Sequence, residues 1–173
     1  MTDANRGTTA AAPDPVTLEI VKNALASIAD EMALVVLRTA HSPIVRDSMD
    51  YSTAVCDRDG RLIAQGLTNP IHLGSFPSAM KHVLARFGGT MKPGDAYITN
   101  DPWLGTGHLH DLTVVSPSFY KGKLIGYFAC TAHVVDVGGR GFGPDANEVY
   151  EEGICIPIMK FAERGKVNRD LVN

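Results

Sequence analysis

Two β-prone runs, residues 112–120 and 124–135, are separated only by Lys121-Gly122-Lys123. So short a link allows the two strands to pair only as an antiparallel hairpin. At the far end of this hairpin stand the most chemically capable side chains of the sequence, His108, His110 and Asp111 before the first strand and His133 and Asp136 at the end of the second. In an antiparallel pair the numbers of opposed residues sum to a constant set by the turn. A two-residue turn at Lys121-Gly122 sets His133 opposite His110, whereas a three-residue loop sets it opposite Asp111. Either register puts an imidazole across from a second ligand-capable group, at the ~4.5–5.5 Å typical of opposed Cβ atoms. One residue of slip decides which pair it is.

The rest of the chain supplies a scaffold around this hairpin. Residues 15–40 read as a helix, because Leu18, Val21, Leu25, Ile28, Met32 and Val35 recur at threes and fours and form one apolar stripe. Asp14 can cap its start, Pro15 suits its first position, and Ser42-Pro43 closes it. Residues 52–57 and 61–65 flank Arg58-Asp59-Gly60 as a second hairpin. A second helix is expected over 76–87, with Ser75 as cap, Pro77 in the first turn and Gly88-Gly89 at its end. A strand over 96–99 follows the Pro93-Gly94-Asp95 turn, a short acidic helix is expected around 148–151, and Asn168 reads as a cap or turn residue. The expected fold class is α+β, a long N-terminal helix packed on a mainly antiparallel sheet with β-hairpins. Residues 1–13 are expected to form a disordered tail and 14–173 one domain. The chain stops at Asn173 inside an unfinished element, which points to a truncated chain.

Composition removes several function classes. Formal net charge is −3 with Lys and Arg scattered singly, so the basic patch that nucleic-acid binding needs is missing. Cys56, Cys130 and Cys155 are far apart and form no CxxC, which argues against a disulfide framework or a zinc knuckle and for a cytoplasmic protein with reduced thiols. No apolar run approaches the ~20 residues of a membrane span, and the N-terminal segment has no signal-peptide pattern. Neither a P-loop nor GxGxxG occurs, so the chain carries no nucleotide motif of its own.

Imidazoles and carboxylates converging on one point are the usual ligands of a catalytic divalent metal. His108 lies three residues before Asp111, so the two share a face only if His108 sits on the pliable loop that Gly105 and Gly107 provide. Cys130 lies three residues before His133 on a strand, which turns its thiol to the other face and excludes it. A strand histidine also serves as an ordinary hydrogen-bonded core residue, and spacing alone leaves both readings open. His72 is read as a loop histidine or a substrate contact, and Asp47 and Asp50 as cleft-lining residues or turn caps.

The run DPVTLEIVKNALASIADEMALVVLRTAHSP, followed by DYSTAVCDRDGRLIAQ, HLGSFPSAM, PGDAYITNDPWLGTGHLHDLTVVSP, AHVVDVGG and ANEVYEEGICIPIMK, resembles the N-terminal portion of hydantoinase B/oxoprolinase subunits, in the family's order and spacing. The resemblance covers residues 14–173. It implies a B-type subunit of an ATP-dependent cyclic-amide hydrolase, acting on hydantoin or 5-oxoproline. A hydantoinase A-type partner would bind ATP and activate the substrate. It also implies a divalent metal (zinc or manganese, with iron a further option) on a His-x-x-Asp pair and a later His, here His108, Asp111 and His133, which favours the three-residue loop. Asp136 or Asp101 is the expected proton acceptor. The family also includes acetone and acetophenone carboxylases, and a truncated, nonenzymatic partner-binding product is the remaining alternative. Two departures stand out: family members commonly have Pro where His110 stands, and a second His where this chain has Val134.

Overall fold

The computed structural model describes residues 12–141 and 143–172, so most of the expected tail lies outside the described residues. In chain order the elements are α1 (Pro15–Thr39), α2 (Pro43–Ser48), β1 (Tyr51–Asp57), β2 (Leu62–Gln65), a single 3-10 turn (Pro70–His72), α3 (Phe76–Phe87), β3 (Ala96–Thr99), β4 (Asp111–Tyr120), β5 (Lys123–His133), α4 (Val149–Glu152), β6 (Met159–Glu163), β7 (Lys166–Val167) and α5 (Arg169–Val172). Asp14 caps α1 as expected, its Oδ1 accepting from the amides of Val16 and Thr17 at 3.0 Å. Ser42-Pro43 does more than close α1. Pro43 opens α2 at its first position, and Met49, at φ 52°, ends that helix and turns the chain into β1. Ser75 precedes α3, but its hydroxyl donates to the His72 carbonyl at 2.7 Å instead of capping the helix.

The described strands form one antiparallel sheet in the order β2-β1-β5-β4-β3-β6-β7. The central hairpin corrects the turn expected from the resemblance while keeping its pairing. Tyr120 pairs with Lys123, and Lys121 and Gly122 take φ of 48° and 77°, so the turn is the two-residue type. The register then shifts between Ser118 and Phe119: Phe119 pairs with Leu124, but Ser118 pairs with Gly126. Ile125 is therefore the extra residue of a β-bulge, and from there to the end of the hairpin every pairing moves by one. Asp111 ends opposite His133.

Both faces of the sheet are used. Ala54, Cys56, Val115, Tyr127 and Ala129 pack with Phe76, Met80 and Val83 of α3 in one core cluster. Burying each of those large α3 side chains contributes about 1.5–3 kcal/mol. Tyr51 and Ala132 pack instead with Ala33, Val36 and Leu37 of α1, together with Val45 of α2. The buried face of α1 is not the expected stripe. Leu18, Val21 and Val35 are exposed, and the fully buried residues are Ala29 and Ala33. Small side chains win there because the backbones approach closely: the Thr53 hydroxyl donates to the Ala29 carbonyl at 2.9 Å. A Cβ at Gly66 would stand 2.7 Å from that same carbonyl oxygen. Among the described residues no helix is long and apolar enough to cross a membrane.

At the other edge, β6 pairs with β3, and Asp95 ties the two. Its buried carboxylate accepts from the amides of Lys92 and Arg164, each at 3.1 Å, and from the Tyr97 hydroxyl at 3.2 Å, with the Lys160 ammonium 3.5 Å away. Burial alone would raise its pKa, but these partners outweigh burial and hold it below the ordinary carboxylate value. A depressed folded-state pKa gives stability that is present above the unfolded value of ~3.9 and is lost as pH falls through the folded value. Asp95→Asn is expected to lose about 1–3 kcal/mol at pH 7 in urea unfolding, with the difference from wild type shrinking below pH ~4. An unchanged difference at low pH would show that the charge is not what matters.

Candidate metal centre

The sheet carries a gradient of polarity along its α3 face. Reading along the central three strands, Ala54–Ala129–Val115 form an apolar rung and Ser52–Thr131–Thr113 a hydroxyl rung. The hydroxyls of Thr113 and Thr131 lie 2.8 Å apart. Beyond them come Asp111 and His133, while the His133 amide donates to the Asp50 carbonyl at 3.0 Å and so continues the ladder past the start of β1. Alternation of period two puts Asp111, Thr113, Thr131 and His133 on one face and Cys130 on the other. Cys130 is not among the clustered donors.

Asp111 is the hub. Its Oδ1 lies 2.9 Å from His108 Nε2 and 3.1 Å from His133 Nδ1, and its Oδ2 lies 3.1 Å from His72 Nε2. His108 reaches it from outside the strand, on the turn that includes Gly105 and Gly107, the latter at φ 115°. The donor atoms of His108, Asp111 and His133 all lie within 4.8 Å of one another, a group able to hold a metal ion. Donors on one tetrahedral ion with bonds of about 2.0–2.2 Å stand roughly 3.4 Å apart, so the contacts of His108 and His133 with Asp111 Oδ1 would open by only about half an ångström or less. Two nitrogens and a carboxylate oxygen without thiolate suit zinc, manganese or ferrous iron.

Burial opposes ionisation of Asp111, but its hydrogen bonds with His108 and His72 prevail and hold its carboxyl well below the usual carboxylate range. The same bond to Asp111 raises the pKa of His108 against its partial burial. His110 moves the other way, pushed down by burial and then by the positive charges of His133 and His108. Its ring stacks on that of His133 with centroids 5.4 Å apart.

Other expected residues fall in different places. His72 is buried beside the cluster, with Nδ1 3.2 Å from the Ser52 hydroxyl and Nε2 3.6 Å from Asp50 Oδ1. Asp101 accepts from the amides of Trp103 and Leu104, and Asp136 from that of Gly138, so each carboxylate holds a turn. The carboxylates facing the histidines are instead Asp50, whose Oδ2 is 3.9 Å from His133 Nδ1, and Glu152, which shares with His108 and His110 the lining of a cavity of about 300 Å³. Glu152 carried no local signal, lying over forty residues from the turn it meets. A second cleft of about 330 Å³, lined by Asp50, Ile71, His72, Thr106, Gly107, His108 and Asp111, opens the cluster to the outside.

The sequence profile described as hydantoinase B/oxoprolinase matches residues 14–173. The chain belongs to that family. It is similar to the caprolactamase of Pseudomonas jessenii, at 39% identity over 163 residues of the beta subunit, covering 92% of this chain and 28% of that one. The crystal structure of the ATP-dependent caprolactamase superposes with a TM-score of 0.80 at 37% identity, over 92% of this chain and 28% of its own. A 5-oxoprolinase of Pestalotiopsis fici is 39% identical over 160 residues, 91% of this chain and 12% of that one. Acetone carboxylase superposes at a TM-score of 0.81 over 92% of this chain and 22% of its own, and at 24% identity that likeness shows the fold alone. The family member described here thus spans less than a third of these relatives.

In metal-free protein, histidine titration by NMR is expected to place the His108 midpoint above ~6.5 and that of His110 below it. Asp111→Asn is expected to lower the His108 midpoint. The reverse order of the two midpoints would contradict the contacts described.

Proposed function

We propose that this chain acts as the B-type subunit, or the N-terminal part of one, in an ATP-dependent hydrolase of cyclic amides. His108, Asp111 and His133 hold its divalent metal, and Asp50 stands as the further carboxylate donor. The observation that carries this reading is the convergence of those side chains in a family member 39% identical to a caprolactamase beta subunit. An ATP-binding A-type partner, in a cytoplasmic complex, supplies activation of the lactam carbonyl, since this chain has no nucleotide motif. Hydantoin, 5-oxoproline and larger lactams are the substrate class.

A divalent ion held there supplies Lewis-acid polarisation of an oxygen. The chain's own residues do the rest. Asp111 stays ionised in a buried position because imidazoles surround it. His72 orients the Asp111 carboxylate from 3.1 Å, lies 3.6 Å from Asp50, and lines the cleft where substrate would enter. Asp101 and Asp136 are committed to turns, and this reading gives them no proton to move. The 330 Å³ cleft beside His108 admits a small cyclic amide to the exposed side of the cluster. A carboxylase would use the same donor set on an enolate, and substrate trials with the partner and ATP separate the two.

Elemental analysis of protein reconstituted with zinc or manganese tests this reading. Uptake is expected to approach one equivalent, and His108→Ala or His133→Ala is expected to abolish it. Cys130→Ala is expected to leave it intact, and the chain without its partner is expected to open neither hydantoin nor 5-oxoproline. Failure of the wild-type protein to take up either metal would refute the proposal.

A further inference from the structure

Of the three clustered donors, His108 is the one that does not sit on a strand. Asp111 and His133 are fixed by the β4–β5 ladder, whereas His108 rides on a turn with glycine on its N-terminal side. Something must remove the freedom of that turn if His108 is to meet Asp111 reproducibly, because a ligand left loose by even an ångström binds poorly.

The backbone of Leu109, the residue after His108, is held at both of its polar groups. Its amide donates to Glu152 Oε2 at 3.2 Å, and its carbonyl accepts from Asn100 Nδ2 at 2.7 Å. Asn100, 2% exposed, also donates to the Ile154 carbonyl at 2.9 Å, accepts from the Ile156 amide, and sends its own amide to the Ile156 carbonyl at 3.2 Å. Both donors of its side-chain amide and its carbonyl oxygen are thus engaged, on Leu109 and on the segment of Ile154 and Ile156. An aspartate at 100 would turn a carboxylate toward two carbonyl oxygens.

The segment carrying Glu152 is itself tied to the chain that leaves β5 just after His133. Gly138 pairs with Gly153, the Ile154 amide donates to the Val137 carbonyl at 2.8 Å, and the Arg140 amide donates to the Glu151 carbonyl at 2.9 Å. The backbones are so close that a Cβ on Gly139 would stand 2.2 Å from the Glu152 carbonyl carbon. Residues 151–156 therefore strap the His108 turn to the end of the His133 strand.

We infer that Glu152 and Asn100 are positioning residues for the metal centre: by gripping the Leu109 peptide from both sides they set where His108 stands relative to Asp111 and His133. The inference rests on the metal-centre reading above. Its discriminating variant is Glu152→Ala, because Glu152 is only part-buried and its loss removes one hydrogen bond from a turn.

The test compares the full chain with Glu152→Ala, Glu152→Gln and Glu148→Ala. Zinc or manganese affinity is measured by calorimetry, and exchange of amide hydrogens is followed in metal-free protein. Glu152→Ala is expected to weaken the metal about 10–100-fold, the range seen when groups that orient metal ligands are removed. Its metal-free melting temperature is expected to fall by only about 2–4 °C. Glu152→Gln, which keeps an acceptor for the Leu109 amide, is expected to recover most of the affinity. Glu148→Ala, which removes an exposed carboxylate four residues before Glu152, is expected to leave it unchanged. Exchange is expected to quicken in peptides spanning 104–110 of Glu152→Ala and not in the β1–β2 hairpin. Unchanged affinity in Glu152→Ala, or a loss matched by Glu148→Ala, overturns the inference while the metal centre stands. A wild-type chain that takes up no metal overturns the metal centre and the inference with it, whatever the exchange shows.

Discussion

Pairing in a sheet has a period of two, so a single unpaired residue decides which face every side chain beyond it presents. In this chain that residue is Ile125. The Lys121-Gly122 turn alone would set His110 against His133 and leave Asp111 on the opposite face. The bulge at Ile125 adds one to the register and brings Asp111 to His133 instead. The pairing suggested by the resemblance is present, reached by a tight turn plus a bulge and not by a longer loop. A bulge also increases local twist, which suits the long central strands of a sheet with a helix on each face.

Given that register, the electrostatics follow from burial. A carboxylate at 3% exposure is costly unless its oxygens are satisfied, and Asp111 has an imidazole nitrogen of His108 and of His133 at one oxygen and of His72 at the other. The hydroxyl rung and then the apolar rung lie beneath the hub, and His108 forms its exposed side. His110, where the family resemblance implies proline, stacks on the ring of His133, and its carbonyl accepts from the amide of Val134 at 2.8 Å. Both departures from the family pattern thus lie side by side next to the cluster.

Local signals located most of the scaffold. Asp14-Pro15, Asp59-Gly60 and Gly88 mark ends and turns through their own backbone chemistry, and α1, α3, β3 and the two hairpins lie where those signals put them. The buried face of α1 differs from the expected stripe because the spacing of Leu18, Val21 and Val35 carries no information on backbone approach, and close packing on β1 and β2 requires the small Ala29 and Ala33. β6 and β7 carry little local signal because they are short: β6 pairs with β3, some sixty residues earlier, and β7 adds on to β6. The hairpin end puts His133 opposite either His110 or Asp111, and it is the family resemblance that implies the set His108, Asp111 and His133. Asp50 was open to two readings, and Glu152 was silent, since each joins the site only through contacts that the register and the strap create.

The central claim is that one ion is held by both strands of the β4–β5 hairpin and by the turn before it. Anomalous diffraction from crystals loaded with zinc or manganese tests it most directly. A single strong peak is expected within bonding distance, about 2.0–2.3 Å, of donor atoms on His108, Asp111 and His133 together. A peak bound by His110 and His133 without Asp111, or one centred on a cysteine, would contradict it.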